Sequence, residues 1–215
     1  MNYDQLQKFK AELQKEFPGL QFVEKLTDPL MRFLKVILFF VPDFDRVYNG
    51  FFGKIYVPRL VVVEKDRPDI SQVYAHEAVH ISDAHGRQFL FSLQYVFPQI
   101  LAVLALLSLG AIWGSSLWLW NLGWLVFLAP WPAPWRVEYE ARAYAVGDFV
   151  LLCKLGLSPY PEWSSAKLAG SLYYWASWNQ KATERRIIVL RNLIASGQAD
   201  QRIYRVLNAL DRALS

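Results

Sequence analysis

The stretch Tyr74-Ala75-His76-Glu77-Ala78-Val79-His80 sets two histidines four residues apart. On an α-helix, residues at i and i+4 lie one turn apart on the same face, so both imidazoles can reach one zinc ion. Glu77 projects beside them, placed to accept a proton from a water activated there. The 215-residue chain has three histidines, and His85 is the other one. A straight helix cannot fold His85 back onto an ion held by His76 and His80, so the third protein ligand that a zinc site needs comes from elsewhere.

The spacing of the metzincin class would require a glycine at position 83 and a ligand at 86, where this chain has Asp83 and Gly86. That class is rejected. The remaining source is a carboxylate from a later helix, and Glu138-Tyr139-Glu140-Ala141-Arg142-Ala143-Tyr144-Ala145 supplies two. Glu138 and Glu140 point about 200° apart around a helix, so only one can face the ion. Ala141 and Ala145 would let this helix approach the first closely. Glu138, three residues before Ala141, lies near the face they mark.

Outward from the motif the chain divides sharply by polarity. Residues 88–135 contain no Asp, Glu, Lys, Arg or His, and six of the nine tryptophans lie between Trp113 and Trp135. Residues 89–113 are long enough to cross a bilayer at roughly 20 residues per span. Gly114, Ser115 and Ser116 make a turn, and residues 117–129 form a shorter return. Tryptophan gathers where a membrane meets water, so Trp113 and Trp118 would mark one interface, Trp131 and Trp135 the other. Arg87 and Arg136 flank the block, which by the positive-inside rule places both ends, and with them the catalytic side, in the cytoplasm.

The rest of the chain is ordinary and charged. Residues 3–17 carry Leu6, Phe9, Leu13 and Phe17 at helical spacing and end at Pro18-Gly19. Residues 30–40 read as core, with a helix lying in the membrane interface as the other reading. Residues 54–63 have a β pattern around Pro58 and could offer a sheet edge to a peptide. The turn at residues 66–69 precedes the motif helix, which Asp69 or Ser71 would cap and Gly86 would end. Helices are expected over residues 137–152, 164–194 (one or two) and 198–214. The net charge of +4 is mild and not clustered, which excludes a nucleic-acid arm and suits anionic head groups. The lone Cys153 fits a reducing compartment, and the polar N-terminus has no secretory signal.

The order H-E-x-x-H-x-x-x-x-H, apolar hairpin, E-x-x-A-x-x-x-A, carried by His76, Glu77, His80, His85, Glu138, Ala141 and Ala145, resembles the membrane gluzincins that include the CAAX-prenyl endopeptidases and HtpX-type proteases. The resemblance implies an α+β, mostly helical zincin-like domain over residues 1–215, with a small sheet and residues 88–135 as an inserted two-helix membrane hairpin. It implies Zn2+ held by His76, His80 and Glu138, with Glu77 as general base. The partners would be a peptide or protein substrate and the lipid bilayer. Those enzymes commonly carry Asp four residues after the ligand glutamate, where this chain has Arg142; Asp83 or Asp148 would then orient a ligand histidine. Replacing Arg142 by Asp is expected to leave metal binding intact or strengthen it. Tyr173 or Tyr174 would donate to the transition state. The alternatives are a zinc hydrolase acting on another bond and a membrane scaffold without activity.

Overall fold

The computed structural model describes residues 2–37, 44, 48–51, 53–58, 70–158, 161–170, 173 and 175–215. It is mostly helical, with one three-stranded sheet. Helix α1 (Tyr3–Glu16) starts in a capping box: Asn2 accepts from the Gln5 amide at 2.9 Å, and the Gln5 side chain accepts from the Asn2 amide at 3.0 Å. Its Leu6, Phe9 and Leu13 are buried as the spacing predicts, against the C-terminal helix α8 (Gln201–Leu214) with Ile203, Val206 and Leu210. Arg205 and Arg212 of α8 close the edges of this pair on Glu16 and Glu12, at 2.8 and 2.7 Å.

Strands β1 (Gln21–Glu24), β2 (Asn49–Phe51) and β3 (Lys54–Val57) form a sheet in the order β1-β3-β2. Strand β3 pairs parallel with β1 and antiparallel with β2, so Lys54–Val57 is central. Both edges of Lys54–Val57 are occupied, which removes that segment as a peptide-binding edge; β2 and β3 both contact the motif helix. Residues 60–63 and the turn at residues 66–69, with the Asp69 cap, lie outside the described residues, and Ser71 sits inside the helix rather than capping it. Helix α2 (Pro29–Ile37) departs from the core expectation. Met31 is buried, but Phe33 and Val36 are 61% and 74% exposed.

The motif helix α3 (Ile70–Ala84) is buried along most of its length. It packs against α5 (Pro134–Lys154), which also contacts α7 (Gln180–Ala195). Residues 164–194 thus hold two helices, α6 (Pro161–Ala169) and α7. Between α3 and α5 runs the uncharged block. Helix α4 (Gln88–Val96) lies against both, and 3₁₀ segments Gln99–Trp113 and Ser116–Leu128 pack on each other to form an arm. The expected continuous first span is broken: α4 and the first 3₁₀ segment bend by 87° between Val96 and Gln99. Among the described residues no single helix is long and apolar enough to cross a membrane; the bent pair passes that test by length and composition.

Candidate metal centre

Helices α3 and α5 lie antiparallel, and three rungs fix their register. Gly147 faces Gln72, where an added Cβ would sit 3.7 Å from the Gln72 carbonyl oxygen. One turn on, the Tyr144 ring packs edge-on against His76 with centroids 4.6 Å apart. At the next, Glu140 meets both motif histidines, Oε2 lying 3.3 Å from His76 Nε2 and Oε1 3.3 Å from His80 Nε2. Gln72, His76 and His80 form one i, i+4 row on α3, and Glu140, Tyr144 and Gly147 the facing row on α5.

The carboxylate brought to the histidines is therefore Glu140, and the expectation of Glu138 is corrected. Glu138 is on another side of α5, where Arg186 of α7 donates to Oε2 from Nε at 2.9 Å and to Oε1 from Nη2 at 2.7 Å. Ala141 and Ala145 are both fully buried, but α5 is buried around most of its circumference, so small residues do not single out the face toward α3. Measured from Glu140, the fourth following residue is Tyr144, so Arg142 no longer stands where the resembling enzymes carry Asp. Arg142 instead pairs with Asp83 of α3, Nη1 to Oδ1, at 2.9 Å.

The ligating atoms of His76, His80 and Glu140 lie within 4.8 Å of one another, and all three residues are buried. Oε2 of Glu140 has no hydrogen-bond partner among the described residues, although it is buried. Buried acceptors left unpaired cost roughly 1–3 kcal/mol or more, and a cation among the three atoms would satisfy them. Two imidazole nitrogens and a carboxylate oxygen, with no thiolate, suit zinc in a site that keeps a position open. The residues present fit the ion. His85 is remote, exposed and edge-on to Phe17 at 6.3 Å.

The electrostatics follow from burial. Burial disfavours the charge of His80, but the carboxylates of Glu140, Glu77 and Asp83 outweigh it and push His80 up to about 9. Burial also opposes ionisation of Glu140, yet His80 and His76 hold it well below the usual carboxylate range. Glu77 is different: burial pushes its carboxyl up, against the pull of His76 and His80 and of the Gly50 amide that donates to it. A raised carboxylate beside the ligand atoms has the proton affinity a general base needs. Asp148 is pushed up to about 6 by burial, with Arg191 and His76 pulling the other way, and Asp83 is raised by burial against Arg142 and His80.

An aromatic wall completes the site, and sequence reasoning found only part of it. Tyr173 is there, its hydroxyl 2.9 Å from that of Tyr144; Tyr174 lies outside the described residues. Tyr144 and Tyr95 were missed. Tyr95 comes from α4, and its hydroxyl donates to Glu140 Oε1. The single cue for Tyr144 was its i+4 relation to Glu140, and none pointed to Tyr95.

Set beside known proteins, the chain matches no family model, no curated protein and no solved structure. The function therefore rests on the site itself.

Proposed function

We propose that the chain is a zinc-dependent, membrane-associated metallopeptidase with a zincin-like domain over residues 1–215, in which residues 88–135 form the membrane hairpin and the catalytic side is cytoplasmic. The observation that carries this is the convergence of His76 Nε2 and His80 Nε2 on the buried Glu140 carboxylate, with Glu77 next in the chain to His76. Zinc in that position would supply a Lewis acid that makes water nucleophilic near neutral pH.

His76, His80 and Glu140 would hold the ion. Glu77 would take a proton from the attacking water as its oxygen bonds to the substrate carbonyl carbon, then return that proton to the amine nitrogen as the C–N bond breaks. The Gly50 amide keeps the Glu77 carboxylate in place for both transfers. Tyr173 offers a hydroxyl donor for the developing oxyanion; burial, then the charge of Glu140, keep it protonated. Support for the membrane comes from the arm, where Leu106, Ile112 and Trp120 are 63%, 72% and 82% exposed, and from the apolar face of α2. The substrate is a peptide or protein rather than nucleic acid.

The test is metal content and peptide-library hydrolysis by detergent-purified wild type, Glu77→Gln and His80→Ala. Wild type and Glu77→Gln are expected to hold about one zinc per chain, His80→Ala almost none, and only wild type to cleave. Equal, near-zero metal in wild type and His80→Ala overturns the metal centre. Full zinc with no peptide cleaved by wild type points to a different bond.

A further inference from the structure

The hairpin's first helix contributes a polar side chain to the buried cluster. Tyr95, near the end of α4, donates its hydroxyl to Oε1 of Glu140, while Oε2 of the same carboxylate has no hydrogen-bond partner among the described residues. The Tyr95 ring is wedged against His80, centroids 5.9 Å apart, and against Phe91, 5.7 Å apart. Arg136, in the first turn of α5 and itself buried, grips the tyrosine's backbone: Nε donates to the Tyr95 carbonyl at 2.7 Å, and the guanidinium lies 5.3 Å from the centre of the Tyr95 ring. Its other nitrogens donate to Gln99 Oε1 beyond the bend at 3.2 Å and to the Tyr173 carbonyl at 3.3 Å.

We propose that Tyr95 is a positioning residue for Glu140, engaging one carboxylate oxygen so that the other alone is presented to the metal, and that Arg136 holds Tyr95 in that place. The proposal rests on the metal-centre assignment above. A carboxylate free at both oxygens can swing or bind an ion through both. One whose Oε1 accepts a hydrogen bond is restrained in rotation, and Oε2, which has no such donor, is the oxygen left to ligate most strongly. That keeps the coordination number low and a position open for water. The uncharged block is then part of the site as well as its anchor, since the hydrogen bond reaches Glu140 from the segment that leads into the arm.

The experiment uses the full chain in detergent, loaded in turn with Zn2+ and Co2+. Tyr95→Phe keeps the ring and its packing and removes the hydroxyl. It is expected to weaken zinc binding about 10- to 100-fold, the usual effect of losing an outer partner of a ligand. The visible absorption of the cobalt form should also fall in intensity, as the released Glu140 oxygen adds a ligand to a four-coordinate ion. Arg136→Lys, which keeps a charge but loses the fork, is expected to move both readouts the same way and less far. Unchanged zinc affinity in Tyr95→Phe overturns the proposal. So does weakened affinity with a cobalt spectrum superimposable on wild type, since that marks a merely structural role. Wild type that binds neither ion fails at the metal centre instead, a result separable from both.

Discussion

Glu138 has its two oxygens taken by Arg186 at the surface, while Glu140 two positions away is buried between His76 and His80. Exposed ion pairs are worth about 0–1 kcal/mol, so Glu138→Ala is expected to cost less than about 1 kcal/mol and leave zinc affinity unchanged. Glu140→Ala is expected to lower zinc affinity by more than the roughly 100-fold typical of an outer partner. Calorimetric titration of both variants decides, and the reverse pattern would mean that α5 is rotated. Arg142 changes meaning in the same way. Asp83 is 1% exposed and Arg142 is its nearest cation. Arg142→Asp would set two carboxyl groups against each other in a buried site, a cost to stability that the resemblance alone did not indicate. The variant should lose about 3–5 kcal/mol of stability. A urea unfolding midpoint equal to that of wild type would refute this.

At the scale of elements, the approach of strand β2 to helix α3 decides whether Glu77 is held. A Cβ on Gly50 would lie 2.9 Å from the Glu77 carbonyl oxygen and 3.0 Å from Oε2, and the nearer of these atoms is backbone and cannot swing aside. Gly50→Ala must therefore push β2 off the helix and pull its amide from the carboxylate. The expected cost is about 1–3 kcal/mol of stability, as for other overpacked positions. Peptide hydrolysis should fall while zinc is retained, because His76, His80 and Glu140 do not touch Gly50. Thermal unfolding and metal content measured together test this. A variant of wild-type stability and rate would show that the strand does not press on Glu77.

For the whole molecule, the question is what covers the arm. Its exposed leucines and tryptophans are contiguous in sequence, and such a surface in water is an association or membrane site. Membrane fractions washed with sodium carbonate are expected to retain the protein, with release of the intact chain counting against insertion. The flanking arginines carry less orientation information than their charge suggests. Arg136 is buried and fully engaged with Tyr95, Gln99 and Tyr173, and Arg87 donates to the Asp83 carbonyl at 2.9 Å.

What the sequence determined by itself is local. The apolar face of α1 (Leu6, Phe9, Leu13), the shared face of His76 and His80 with Glu77 beside them, and the segregation of charge from residues 88–135 all follow from helical periodicity and polarity within short windows. Those properties need no partner. The rotation of α5 was decided only by tertiary structure. Tyr139, Glu140, Ala141, Ala143, Ala145, Val146 and Val150 are all buried, so the helix has no solvent stripe from which its orientation can be read. Its register was fixed by the rungs Gly147 on Gln72 and Tyr144 on His76, contacts between residues about 70 positions apart. The break at Val96 and the arrival of Tyr95 at Glu140 are of the same kind. They depend on how α4 packs against α3 and α5 together, and no window of sequence contains all three.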